Sequence, residues 1–281
     1  MRILTLIENT SATERLVIEH GVSFYIEAGG KKILFDTGSS EKWAENARRM
    51  RVDIKNIDCA VLSYNHADHV GGIDALLSTC PYIKIYMRKD AQSNNYKRMG
   101  IFKISIGHST EFYARRKDNI VAFNSFQEIC PGVFLMSDEC GEKRHICNDR
   151  SLMVEKDGKI VKDMFEGELF MTIFPGEEKK GCVIVSSCSY RGIINIIKTV
   201  QNSWIGVPII AVVGGFHLMG SSTKKINCSA SYVSELAKEL KDLNIGMLYT
   251  CHCTGQMGYD MLKAELGDQV QYLQTGEELE F

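Results

Sequence analysis

The chain has 281 residues, 44% hydrophobic and 24% charged, enough to bury a sizeable core and near the upper size of one domain, so a single domain over 1–281 is expected. Its 33 lysines and arginines against 35 aspartates and glutamates leave a formal net charge of −2 with no basic stripe, which argues against nucleic acid as a partner. No apolar run approaches the ~20 residues of a membrane helix, and MRILTLIENTSATE lacks a signal-peptide pattern. A cytoplasmic protein without membrane association is therefore expected.

In chain order, Ile3 to Ile7, Val22 to Glu27 and Lys32 to Phe35 read as strands, the last two joined through Ala28-Gly29-Gly30 as a hairpin. Trp43, Ala44, Ala47 and Met50 have helical spacing over Glu41 to Met50, with Ser39 or Ser40 as N-cap. Cys59 to Ser63 is a short buried strand, Val70 to Leu77 a helix, Ile83 to Met87 a strand. Lys89 to Gly141 shows few periods and is expected to hold loops that shape a pocket. Beyond it come strands at Leu152 to Glu155 and Ile160-Val161 about an Asp157-Gly158 turn, and a strand at Cys182 to Ser186. A helix from Ile193 to Val200 and a strand at Ile209 to Val213 follow, then a helix over Tyr232 to Leu243 and a strand at Met247 to Thr250. The chain ends in a helix from Tyr259 to Leu266, capped by Gly267, and a strand at Val270 to Leu273. This mixture predicts an α/β fold.

His66, Asp68 and His69 in SYNHADHVGG follow a buried strand and precede paired glycines, a position where α/β proteins present functional groups. Imidazole and carboxylate are natural ligands of zinc and similar divalent ions. His252 in YTCHCTG and His217 in GGFHL also follow apolar strands; His217 can be a ligand, a substrate contact or a hydrogen-bonded pocket residue. Asp36 in LFDTG can orient a ligand histidine through its free ring nitrogen, or serve only its own turn. Asp149 and Glu139 are polar residues near strand ends. The ten cysteines read as reduced thiols; pairs such as Cys182/Cys188 and Cys251/Cys253 could hold a metal but lack the repeated Cys-x-x-Cys spacing of a zinc site. Neither a phosphate-binding P-loop nor a Gly-x-Ser-x-Gly elbow is present.

Taken in order, DTG, SYNHADHVGG, SCSYRGI, GGFHL and HCTG resemble the metallo-β-lactamase superfamily of metal-dependent hydrolases. Within it the chain is most similar to the 7,8-dihydropterin-6-methyl-4-(β-D-ribofuranosyl)aminobenzene 5'-phosphate synthase-like group. The resemblance implies an αββα sandwich of two mixed sheets flanked by helices, with metals at one edge. The family pattern His-x-His-x-Asp-His falls on Tyr64 to His69, so its first histidine is Tyr64; the Gly-Cys-Ser-His turn of the related group falls on Ser187 to Tyr190, so a second is Tyr190. Tyrosine is not an ordinary zinc ligand. One metal per chain is therefore expected, zinc first, with iron or manganese as alternatives. Asp68, His69 and His252 hold it, and His66 remains from the other position.

The implied function is hydrolysis of an ester, lactone or phosphoester by metal-activated water. Asp68 and His217 act in catalysis; Tyr64, Tyr190 and Asp149 line the pocket of a small-molecule substrate, phosphorylated or pterin-like. The alternative is a non-catalytic ligand- or partner-binding protein with a degenerate metal centre. A nuclease of the same superfamily suits the charge and the missing ligands poorly.

Overall fold

In the computed structural model, residues 1–138, 147, 149–176, 178, 180–220 and 225–281 are described; Glu139 lies outside them. The strands and helices run β1 Arg2–Ile7, β2 Ser23–Ala28, β3 Lys31–Phe35, α1 Lys42–Arg49, β4 Cys59–Leu62, α2 Ala67–Val70, α3 Ile73–Thr79, β5 Lys84–Arg88, β6 Asn95–Met99, β7 Phe102–Ser105, α4 Thr110–Arg115 and β8 Ile120–Phe123. They continue as β9 Phe126–Cys130, β10 Val133–Met136, β11 Leu152–Lys156, β12 Lys159–Lys162, β13 Phe170–Ile173, β14 Cys182–Ser186, α5 Ile193–Ser203, β15 Ile209–Gly214, α6 Ala230–Asp242, β16 Met247–Thr250, α7 Gly255–Leu266, β17 Val270–Tyr272 and β18 Glu278–Glu280.

Two seven-stranded mixed sheets dominate, ordered β18-β1-β2-β3-β4-β5-β8 and β17-β16-β15-β14-β13-β10-β9. Strand side chains alternate between faces, and here both faces are covered, so the strands read as continuous apolar runs. In β14, Val183 and Val185 join Ile33, Phe35, Val61 and Val213 between the sheets. Cys182 and Ile184 turn the other way, onto residues of α5, α6 and α7 such as Ile197, Leu236 and Leu262. Leu34 of β3 meets Trp43 of α1 and Leu76 of α3 on the opposite outer face. This is the αββα sandwich.

The structure corrects the sequence reading in several places. Residues 89–141 were expected to hold loops that shape a pocket; their described part also carries five strands, β6 to β10, and the helix α4, and short edge strands with exposed residues such as Phe102 carry no clean alternation. β6 and β7 pair with β11 and β12 in a third, four-stranded sheet. The expected helix from Val70 is two helices, α2 and α3, broken at Gly71-Gly72. The N-cap of α1 is Glu41, because Ser39 donates to the His20 carbonyl and Ser40 to the Glu19 carboxylate. β13 and β18 had no clear sequence signal. Among the described residues no helix is long and apolar enough to cross a membrane.

Candidate metal centre and pocket

Side chains capable of chemistry gather where parallel strands end. β3 pairs in parallel with β4, and β14, β15 and β16 are mutually parallel. Asp36 follows β3, residues 63–69 follow β4, Cys188 and Tyr190 follow β14, His217 follows β15 and His252 follows β16. Four residues here hold a left-handed backbone without being glycine: Asp36 (φ 58°), Ser189 (φ 54°), His217 (φ 51°) and His252 (φ 49°). Such strain costs on the order of 1–3 kcal/mol each and persists only where packing over-determines it. The glycine pair has a steric role: a Cβ on Gly72 would lie 2.2 Å from the Thr37 carbonyl oxygen and one on Gly71 2.3 Å from that of Ser39.

Asp68, His69, Cys188 and His252 each bring one donor atom to within 4.8 Å of every other. His69 Nε2 is 3.2 Å from Cys188 Sγ and 3.8 Å from Asp68 Oδ1, and His252 Nε2 is 3.4 Å from Asp68 Oδ2. Metal–ligand bonds of about 2.0 to 2.3 Å in a tetrahedron put neighbouring ligands roughly 3.3 to 3.8 Å apart. The observed separations fit, although they use both Asp68 oxygens. The buried His252 Nε2 has no hydrogen-bond partner, which a cation would supply. Nitrogen, sulfur and carboxylate donors together suit zinc or iron.

Surrounding groups fix this set. Asp36, fully buried, lies with Oδ2 2.8 Å from His69 Nδ1 and also accepts from the Ser63 amide at 2.7 Å, the Ser63 hydroxyl at 2.6 Å and the Ser187 hydroxyl. Glu8 accepts from the His252 amide and the Tyr272 hydroxyl, each at 2.8 Å. Glu168, whose carboxyl burial pushes up to about 7, accepts from the Tyr190 and Arg191 amides at 2.7 and 2.8 Å. Burial opposes charge on Asp68, yet His69, His252 and His20 hold its carboxyl well below the usual carboxylate range. Burial likewise opposes protonation of His69, but the Asp68 and Asp36 carboxylates pull it up to about 9.

A pocket of about 260 Å³ opens beside Asp68, lined by His20, His66, Lys97, Leu152, Tyr190 and His217 among others. Among the sequence candidates, Asp68, His69 and His252 converge, Asp36 meets His69, and His217 and Tyr190 line the pocket. His66 stands apart from the converging donors; its Nδ1 is 2.8 Å from the Tyr190 hydroxyl, and burial lowers its pKa to about 3. Its Nε2 is buried without a partner. Tyr64 and Asp149 do not line this pocket. The Tyr64 hydroxyl donates to Asp163 Oδ2 and accepts from Asn95, and Asp149 accepts from the Ser151 amide and hydroxyl, a local turn. Tyr190 stacks on Phe165 with ring centroids 4.5 Å apart.

The sequence reading missed His20, and it paired Cys188 with Cys182 and Cys253 with Cys251 where the structure brings Cys188 and Cys253 together. His20 Nε2 lies 3.4 Å from Asp68 Oδ2; burial first, then His252, lowers its pKa to about 4. Nothing around residue 20 signals this, since it arrives from a loop before β2. Cys188 and Cys253 had a signal, standing inside SCSYRGI and HCTG. They come together only in the fold, 65 residues apart, where Cys253 Sγ lies 3.4 Å from the Cys188 carbonyl oxygen.

Residues 18–135 match the family model described as the metallo-beta-lactamase superfamily. The chain is 28% identical to a 7,8-dihydropterin-6-methyl-4-(beta-D-ribofuranosyl)-aminobenzene-5'-phosphate synthase of Methanocaldococcus jannaschii, over 94% of this chain and 90% of that one. An uncharacterized protein of the same organism is 27% identical over 90% of each. Among solved structures, Tm1679, described as a metal-dependent hydrolase of the beta-lactamase superfamily, aligns with a TM-score of 0.81 and 27% identity, covering 100% of this chain and 99% of that one. The YhfI protein of Bacillus subtilis shares the fold at a TM-score of 0.58 and 14% identity, covering 99% of each.

Proposed function

We propose that this chain, whose residues 18–135 match the metallo-beta-lactamase superfamily model, is a metal-dependent hydrolase of a small phosphoester, with esters and lactones as related substrates. The observation that carries this reading is the convergence of Asp68, His69, His252 and Cys188 beside a pocket whose lining includes Lys97 and His217. The Lys97 ammonium favours a phosphorylated substrate over a neutral one. The similarity to a pterin-related synthase supports a phosphorylated, pterin-like compound as the first to try.

A divalent cation in this donor set, zinc by preference with iron or manganese as alternatives, supplies Lewis-acid polarisation and water of lowered pKa when bound. The protein's own groups do the rest. Asp36 accepts the Nδ1 proton of His69, which leaves the Nε2 lone pair directed at the donor set. Asp68, held ionised, would accept a hydrogen bond from water and orient it. With the Tyr190 hydroxyl donated to its Nδ1, His66 carries its proton on Nε2 and offers that N–H to a substrate oxygen. The third sheet, through Lys97, Ser105 and Leu152, forms one wall of the pocket.

Metal content of the wild type, Asp68→Ala and His252→Ala, measured by mass spectrometry, tests the assignment: both variants should lose metal, and unchanged substoichiometric content in all three refutes it. Turnover of phosphomonoesters, phosphodiesters, thioesters and lactones by the metal-loaded protein tests the reaction. The second reading, a ligand-binding protein without catalysis, is favoured by the buried phenols at Tyr64 and Tyr190. Activity confined to a Tyr64→His/Tyr190→His variant would decide for it.

A further inference from the structure

We propose a second, thiolate-rich metal position formed by Cys188, His217 and Cys253, adjoining the first through Cys188 and taking a zinc ion. It rests on the metal centre above only in sharing that cysteine. One donor atom from each of these three residues lies within 4.8 Å of the other two, a second convergence distinct from that of Asp68, His69 and His252. Cys188 belongs to both, so its sulfur stands between the two positions.

The surroundings are built for it. Cys188 and Cys253 are almost wholly buried, and a buried ring nitrogen of His217, Nδ1, has no hydrogen-bond partner. His217 holds a left-handed backbone (φ 51°), a strain that a histidine with no task would relieve. Its amide donates to Cys253 Sγ at 3.3 Å, the kind of contact that steadies a thiolate ligand. Gly215 leaves room for that sulfur: a Cβ there would lie 2.4 Å from Cys253 Sγ and 2.8 Å from the Ser187 carbonyl oxygen.

Two sulfurs and one imidazole form a borderline-soft set that selects zinc over magnesium or calcium, and three protein ligands leave a fourth position open. The pocket reaches His217, so that position faces the substrate space. The phenols of Tyr64 and Tyr190 thus do not reduce the protein to one metal. The Tyr190 ring lies beside this position, its centroid 4.5 Å from that of His217, while its hydroxyl is taken by His66.

The test loads chelator-stripped protein with zinc under reducing conditions, dialyses it, and measures zinc per chain and sulfur scattering at the zinc absorption edge. Wild type should hold two zinc ions with sulfur at about 2.3 Å. Cys253→Ser and His217→Asn should each hold one, with unchanged far-ultraviolet circular dichroism; if Cys253→Ser fails to fold, His217→Asn decides. One zinc in the wild type, two retained in a folded variant, or no sulfur at the edge overturns the proposal. Asp68→Ala separates it from the first centre: if that variant keeps both ions while His217→Asn loses one, the proposed hydrolytic centre fails and the thiolate position stands.

Discussion

Replacing Asp36 by asparagine isolates one proton in this site. The left-handed backbone at φ 58° suits asparagine as well as aspartate, so the turn is retained. The carboxylate accepts from the Ser63 amide on one oxygen and from two hydroxyls and His69 on the other. An asparagine that keeps its oxygen toward the Ser63 amide turns its NH2 toward His69. The two hydroxyls can rotate to accept, but His69 must give up its Nδ1 proton and carry one on Nε2, the nitrogen that faces the donor set. Loss of such a supporting carboxylate typically costs 10- to 100-fold in metal affinity, about 1.4 to 2.7 kcal/mol. The imperfectly paired amide adds roughly 1–3 kcal/mol of instability. Competition against a chromogenic chelator reads the affinity, and nitrogen NMR of labelled histidine reads the tautomer. An affinity within twofold of wild type, or an unchanged His69 tautomer, refutes the reasoning.

Three further outcomes are expected. Because His69 is held protonated up to about pH 9 without metal, zinc binding at pH 7 to 8 should release its proton; calorimetry in buffers of different ionisation enthalpy measures this, and zero release contradicts it. His66 and His20, with pKa values lowered to about 3 and about 4 chiefly by burial, stay neutral in the fold while the unfolded chain takes up protons below about 6.5. Their contribution to stability is therefore full above 6.5 and lost as pH falls toward 4 and 3. Urea melts of the metal-free protein should weaken over that window, and His66→Gln should flatten the slope. Gly72→Ala forces a Cβ against the Thr37 and Ser40 carbonyl oxygens at 2.2 and 2.3 Å, so it should destabilise by about 1–3 kcal/mol, visible as a lower thermal midpoint.

Much of the architecture was legible because burial on both faces writes itself as continuous apolar runs. The strands ending before Asp36, Ser63, Ser187, His217 and His252 were all marked in this way, and the turn residues after them carried their chemistry in short motifs. Within residues 95–136, the edge strands β7 and β9 were not legible, since exposing Phe102, Ile104 and Phe126 they lack the alternation that burial imposes, whereas β10, buried at all four positions, was passed over despite its apolar run.

Within the site, the sequence by itself determined which residue types stand at the strand ends: Asp68, His69 and His252 as donors, Asp36 in reach of a histidine, tyrosines where imidazoles were expected. Only the tertiary structure decided the company they keep. The parallel pairing of β14, β15 and β16 brings Cys188, His217 and Cys253 together, while the loop before β2 delivers His20 to Asp68. It also gave the two tyrosines different partners although their ring centroids are 5.6 Å apart, sending the hydroxyl of Tyr64 to Asp163 and that of Tyr190 to His66. The physical reason is that a donor's partners are set by which strand ends lie side by side, and strand order is a property of the packed sheets rather than of any local stretch of chain.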